Sequence, residues 1–215
     1  MDSCIVCGSE KLFFIKTNFG ICYHCKNCNF IFKDRKEMLS LDNELNVYNN
    51  HNNSFYDKSY VEYFYDFLNK AVFPFYKEGK TAFDFGSGPS PVLATILKTY
   101  HNFNVDIYDK FYSPKKVYLG KKYSLITSTE VLEHIKNPIE AFLIFKSLMD
   151  KDSILAIMTS YHPNSYEDFK SWYYIRDKTH ISFYSLQTMQ YIADKFDLEI
   201  VFSDKKRYTT FKLKS

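Results

Sequence analysis

From residue 80 onward the chain alternates between two periods, and this constrains its fold more than any other feature. "KTAFDF", "FNVDIYD", "YSLITST", "SILAIMTS", "LEIVFS" and "YTTFKLK" are short apolar runs of strand length, while "PVLATILKTY", "NPIEAFLIFKSLM" and "SLQTMQYIADKF" carry apolar residues at helical spacing. Strands joined through helices pair in parallel, so the expected fold is α/β with a doubly wound, mainly parallel sheet. Ser90 is the candidate N-cap of the first helix, with Pro91 at its first position, and Asn137, Pro138 and Glu140 form a capping arrangement at the second. Ahead of the sheet, Tyr56, Tyr60, Tyr63, Phe64, Phe67, Leu68, Ala71 and Phe75 mark one apolar face of a helix that Pro74 should end or kink.

"DFGSGPSP", residues 84–91, joins the first strand to the first helix. In a doubly wound sheet that turn lies beyond the carboxyl ends of the strands, where ligands bind. Gly86 and Gly88 permit unusual backbone angles and close approach to a ligand, although glycine is also an ordinary turn residue. A dinucleotide turn needs a third glycine where Pro91 stands, and no Gly-Lys-Ser or Gly-Lys-Thr follows, which disfavours a pyrophosphate or phosphate ligand. Asp84 would repel phosphate and attract an ammonium group. Asp109, at the end of the second strand, can accept hydrogen bonds from ribose hydroxyls. A ligand with a ribose, a cationic amine and no phosphate fits both carboxylates, and S-adenosylmethionine is such a ligand.

With "AFDFGSGPSP", "VDIYD", "YSLITSTEVLEHIKNP", "SILAIMTS" and "THISFYS" in order, the chain resembles the class I S-adenosylmethionine-dependent methyltransferases from about Phe55 to its end. The resemblance implies a Rossmann-like sheet of about seven strands with the last antiparallel. It implies that Asp84, Gly86 and Gly88 line the methionine part of the cofactor, that Asp109 holds the ribose, and that Thr129 and Glu130 lie beside the sulfonium. Two departures stand out: Ser90 replaces the third small residue of the turn, and "KFYSPKKVYLGKK" is too short for a helix, strand and helix. The third strand is therefore expected to be short or missing, and no residue is assigned to adenine.

Glu130, Glu133 and His134 fall on one side of a helical turn. They read either as a divalent-metal site, as a carboxylate-oriented histidine acting as general base, or as a structural turn. Similar segments occur in the ubiquinone-biosynthesis O-methyltransferases, where a cation is implied, and in many relatives without one. "SWYYIRDKTHISFYS" should overhang the strand ends. There His180 or Tyr184 would orient the acceptor or take its proton, the alternative being plain aromatic packing.

All five cysteines lie in the first 28 residues. Cys4-x-x-Cys7 and Cys25-x-x-Cys28, 17 residues apart, have the spacing of a closed four-thiolate zinc site, a structural one, with Cys22 as a substitute for Cys28 and His24 nearby as minor alternatives. The expected organisation is a zinc ribbon at 1–34, a polar asparagine-rich linker at 35–54 and a methyltransferase domain at 55–215. The opening residues lack a basic-then-apolar signal and no apolar run suits a membrane helix, so the expected location is the cytoplasm. The net charge of +3 does not call for a polyanion. The expected partner is a small-molecule acceptor methylated at oxygen or nitrogen. The rivals are RNA docked by the ribbon and a non-catalytic cofactor-binding module.

Overall fold

The computed structural model describes residues 3–50 and 55–214. Residues 1, 2, 51–54 and 215, which the expected ribbon, linker and core segments include, lie outside the described residues. In chain order the elements are β1 (Leu12–Thr17), β2 (Gly20–Cys25), β3 (Ile31–Lys33), α1 (Leu41–Asn49), α2 (Lys58–Phe67), β4 (Thr81–Phe85), α3 (Val92–His101), β5 (Asn104–Tyr108) and β6 (Tyr123–Thr129). Then follow α4 (Pro138–Leu148), β7 (Met149–Met158), α5 (Tyr166–Ser171), β8 (Ser182–Phe183), α6 (Leu186–Lys195), β9 (Leu198–Ser203) and β10 (Tyr208–Leu213).

The central sheet is mixed, in the order β5-β4-β6-β7-β10-β9. Strands β5, β4, β6 and β7 pair in parallel and β10 runs antiparallel to both its neighbours. It has six strands where the resemblance implies about seven, because β5 is an edge: the short segment after it folds into turns that begin with an Asp109–Ser113 bridge. Successive residues of each strand face opposite sides of the sheet. Ala82, Leu125 and Ile154 pack beneath α2 and α3 with Phe64, Phe67 and Leu97. Their neighbours Phe83, Ile126 and Leu155 face Phe142, Phe145 and Ile192 of α4 and α6.

Of the two caps expected from the sequence, the one at α4 forms and the one at α3 does not, and α6 has a capping box that was not expected. Asn137 accepts from the Ile139 amide at α4, and Ser185 with Thr188 closes a capping box at α6. At α3 the N-cap is Pro91 itself and makes no side-chain bond. It is the Ser90 carbonyl, not its hydroxyl, that takes the Val92 amide, at 2.8 Å, so the expected Ser90 cap is corrected.

The cysteine segment is not a separate body. Strands β1, β2 and β3 form an antiparallel sheet whose fourth strand, β8, comes from the aromatic segment of the core. Cys4, Cys25, Cys28, Phe30 and Phe32 share one hydrophobic cluster with Phe142, Leu155 and Met189, so the boundary expected at residue 34 cuts through a continuous core. The expected linker also carries structure: Ser40 caps α1, whose asparagine-rich composition conceals a helix in the sequence. Among the described residues no helix is long and apolar enough to cross a membrane.

Candidate active site

The carboxyl ends of β4, β5 and β6 open into a cavity of about 660 Å³. Asp84, Gly86, Gly88 and Asp109 line one end, and Glu133, His134 and His180 the other, with Thr129 and Glu130 between.

At the first end, Asp84 is buried at the next-to-last position of β4 and accepts a 2.8 Å hydrogen bond from Thr127, its register partner on β6. Burial pushes its carboxyl up from the ordinary 3.8 to about 6. Gly86 sits at φ +83°, and a Cβ there would lie 2.2 Å from Val131 Cγ2, so the loop after β6 closes against the bare turn. The close approach at Gly86 is thus to Val131, while Gly88, at φ +65°, has no atom near its missing Cβ. Asp109 ties the two turns together: Oδ2 accepts from the Gly88 amide at 3.0 Å and Oδ1 from the amides of Phe111 and Tyr112. The Ser87 hydroxyl is buried in the same turn without a partner among the described residues.

Between the ends, Glu130 takes a left-handed backbone at φ +53°, which a non-glycine residue adopts only when its surroundings hold it. Its carboxylate accepts from Tyr63 at 2.6 Å and Tyr174 at 2.8 Å. The Tyr174 oxygen also lies 2.6 Å from Glu133 Oε1, and Thr159 donates to Glu133 Oε2. A phenol has one proton and cannot donate to two carboxylates. The arrangement balances when Glu133 carries a proton and gives it to the Tyr174 oxygen, while Tyr174 donates to an ionised Glu130. Complete burial, followed by the Glu130 charge, drives the Glu133 carboxyl the same way, well above its usual range.

At the second end, His134 Nδ1 donates to the Thr179 carbonyl at 3.2 Å and His180 Nδ1 to the Tyr174 carbonyl at 2.8 Å. The rings meet edge to face with centroids 4.7 Å apart. Burial, then the neighbouring His180, lowers the His134 imidazole to about 3, and burial lowers His180 too, so both are neutral at pH 7. Helix α1 roofs this end: Tyr48 packs on His134 and Phe111, and Glu44 pairs with Lys110 at 2.6 Å.

The sequence-expected residues divide accordingly. His134 and His180 come together in the cavity. Tyr184 does not reach it: its ring is fully buried against Phe30 and its hydroxyl donates to the Leu132 carbonyl, so its expected catalytic part is corrected to a scaffold one. Glu130 is held by two tyrosines, and the three side chains whose ligating atoms lie within 4.8 Å of one another are Glu133, His134 and His180. Trp172 and Phe183 pack in the cluster around Ile15 and Cys22, away from the cavity. Tyr63 and Tyr174 carry polar contacts that spacing could not reveal, because each appears in the sequence as one more aromatic of a packed face.

The four cysteines of the two Cys-x-x-Cys pairs converge, with Sγ atoms 3.6 Å apart for Cys4 and Cys28 and 3.4 Å for Cys7 and Cys25. Cys22 is corrected out of this group: it lies in the cluster with Ile15 and Phe169, and burial pushes its thiol up to about 12. His24 is engaged by Tyr166 and Asn29 instead.

Comparison with known proteins agrees with the fold. No curated protein matches the chain in sequence. Among solved structures, LaPhzM is 13% identical with a TM-score of 0.51, covering 71% of this chain and 56% of its own. An O-methyltransferase family 2 protein from Planctomyces limnophilus, in complex with apigenin, is 14% identical with a TM-score of 0.50, covering 63% and 50%. The mitomycin 7-O-methyltransferase MmcR is 11% identical with a TM-score of 0.49, covering 62% and 48%. The chain spans about half the length of these structures. The family described as a methyltransferase domain matches residues 49–202, well over half of the sequence, and the chain belongs to that family.

Proposed function

We propose that this protein transfers a methyl group from S-adenosylmethionine to an oxygen or nitrogen of a small-molecule acceptor. The observation that carries the reading is a single cavity with the Asp84–Gly88 turn and Asp109 at one end and two neutral imidazoles at the other. The first end suits the cofactor. Asp84 can face a cation, the unpartnered Ser87 hydroxyl can meet a carboxylate, and Asp109 keeps lone pairs for a ribose. When bound, S-adenosylmethionine supplies a methyl group already activated on a sulfonium. The chain's own residues have the remaining tasks of aligning the nucleophile, excluding water and holding its proton. Thr129 and Glu130 flank the path between the two ends, and His134 or His180 accepts a proton.

The cysteine cluster suits a structural zinc ion. Four thiolates about 2.3 Å from a tetrahedral zinc lie roughly 3.8 Å apart, close to the 3.4 and 3.6 Å of the two sulfur pairs. With four protein ligands no open position remains for chemistry. Such thiols persist in a reducing compartment, which supports a cytoplasmic location. Their burial in the shared core supports a scaffold role over docking of RNA.

The test is transfer of labelled methyl from S-adenosylmethionine into a cell extract, counted separately in small-molecule and RNase-sensitive fractions. Asp84→Asn is expected to weaken cofactor binding tenfold to a hundredfold, about 1.4–2.8 kcal/mol. Because burial holds the Asp84 carboxyl at about 6, the folded state keeps a proton that the unfolded chain has lost between about pH 4 and 6. Stability therefore falls as pH rises through that window, and the full cost, roughly 3 kcal/mol, is present above it. A bound cation offsets that cost, so cofactor affinity should rise with pH through about 6. The asparagine variant should show no such rise and, without cofactor, should be more stable than the parent at pH 8. Label confined to the RNase-sensitive fraction would overturn the small-molecule reading.

A further inference from the structure

Two buried imidazoles at the acceptor end of the cavity face the same space, and the backbone fixes which nitrogen of each carries hydrogen. A carbonyl oxygen cannot donate, so the bonds to Thr179 and Tyr174 place the proton on Nδ1 of both His134 and His180. Both Nε2 atoms are therefore lone-pair acceptors. Neither makes a hydrogen bond among the described residues: His134 Nε2 lies 3.9 Å from Glu133 Oε1 and His180 Nε2 lies 3.8 Å from Asp177 Oδ2. The His180 residue is only 8% exposed, and its Nε2, which is not itself fully buried, opens onto the cavity that the two imidazoles line. The other charged groups around the pair are the Glu130 carboxylate, the Lys110 ammonium, which pairs with Glu44, and the buried Lys33 ammonium, which is held by the Asp177 carbonyl.

A divalent metal ion would meet poor ligands here. Glu133 has both oxygens engaged, one by Tyr174 and one by Thr159, and the proton count at Tyr174 makes it neutral. Of the set Glu133, His134 and His180, that leaves two uncharged imidazoles and no anionic oxygen, while the Asp177 carboxylate 3.8 Å from His180 Nε2 is one more acceptor. Two acceptors without a donor call instead for a guest that brings two donors.

We propose that His134 and His180 form a two-acceptor pocket for the reactive group of the methyl acceptor, and that this group is one with paired hydrogen-bond donors: a primary amine or a vicinal diol. The proposal rests on the methyltransferase reading and gives it a substrate class. A neutral primary amine held by both N–H bonds keeps its lone pair directed away from the imidazoles; as its N–C bond forms the sulfonium C–S bond breaks to leave a thioether, and one N–H proton of the resulting ammonium passes to an imidazole Nε2. In a diol each hydroxyl engages one imidazole, and the attacking oxygen leaves its proton on that Nε2. In either case the monomethylated product has one donor fewer, so the pocket releases it and transfer stops after one methyl group.

The experiment is calorimetric titration of the full chain with matched probes: benzylamine against N,N-dimethylbenzylamine, and catechol against 1,2-dimethoxybenzene. The donor-rich member of one pair is expected to bind at least tenfold more tightly than its methylated, donor-poor partner, since a site built for paired donors leaves an acceptor unpaired against the analogue. Which pair discriminates separates amine from diol. His180→Phe should reduce the ratio below threefold while cofactor binding persists. Should that variant fail to fold, His134→Phe is the second route, and limitation to one methyl per acceptor in the parent is the third. Equal affinity within both pairs, or no binding of any probe at millimolar concentration, overturns the proposal. So does binding that appears only after Mn²⁺ is added, which would make the pocket a metal site; addition is used because a chelator would also strip the cysteine cluster. Failure of the parent to bind cofactor would sink the methyltransferase reading separately, because the probe ratios are measured without it.

Discussion

The cofactor end of the cavity comes from two neighbouring strands and the turns that follow them, whereas the acceptor end is gathered from α1, the loop after β6 and the segment before β8, with the cysteine sheet behind it. The first is local: Asp84, Gly86 and Gly88 lie within five residues, and Asp109 reaches Gly88 directly. The second depends on a relay. The Lys33 amide of β3 donates to the Ile181 carbonyl, and the Ile181 amide donates to the Glu133 carbonyl, so the cysteine sheet braces the wall that carries Glu133, His134 and His180. The difference teaches that one cavity can have one end fixed by short-range chain geometry and the other by long-range assembly, and the two ends should then fail separately.

The largest separation is expected from Cys28→Ser. Removing one of four thiolates should take zinc from one per chain to under about a tenth, because a structural site of this type owes its affinity to the complete set. Loss of the cluster should loosen β3 and β8. Hydrogen exchange at Lys33 and Ile181 should then quicken by about a hundredfold or more, while cofactor affinity stays within about threefold of the parent. Unchanged protection in a metal-free variant would break the comparison, since the relay would then stand without its anchor.

Next comes the cofactor end. Gly86→Ala forces a Cβ toward Val131 and keeps a left-handed backbone, and should cost about 3 kcal/mol of stability by denaturant titration. Gly88→Ala meets no atom and should cost only the backbone term, about 1 kcal/mol. Similar losses at the two glycines would mean that the loop after β6 yields, and that the turn is less rigid than its contacts imply. A smaller effect, and one confined to stability, is expected at Tyr184→Phe. The buried Leu132 carbonyl loses its donor, for about 1–2 kcal/mol, while kcat and KM remain within about twofold. A large fall in kcat at unchanged folding would return Tyr184 to the chemistry.

What the sequence made legible follows the same division. Strand and helix periods are local, so the succession of strands and helices and the Asp84–Gly88 turn could be read, while the spatial order of the strands could not, and the two Cys-x-x-Cys pairs announce a shared site through their spacing alone. The pairing of β3 with β8 joins residues about 150 apart in the chain and leaves no local trace. Helix α1 was hidden by asparagines that read as loop, although Ser40 caps it. Tyr174 was visible only as part of an aromatic run. Its meaning depends on two carboxylates more than 40 residues upstream, and so does the proton count that leaves Glu133 neutral.

Ser90→Ala gives the smallest expected effect and the finest test of how far local reading reaches. Read as an N-cap, Ser90 would contribute about 1 kcal/mol to α3 through its hydroxyl. In the fold its carbonyl takes the Val92 amide and Pro91 occupies the cap with no side-chain bond, so the hydroxyl has no helix amide to accept from. Chemical denaturation of the cofactor-free variant should therefore differ from the parent by less than about 0.5 kcal/mol, the range of a substitution that removes no specific contact. A loss near 1 kcal/mol would mean that the turn relaxes by one residue to let the serine cap the helix. Gly88 would then be the hinge, since it already sits at a positive φ with open space around it while Gly86 is pinned by Val131. Even the end of the cavity that local sequence describes best would then have two states, and the cofactor would select between them.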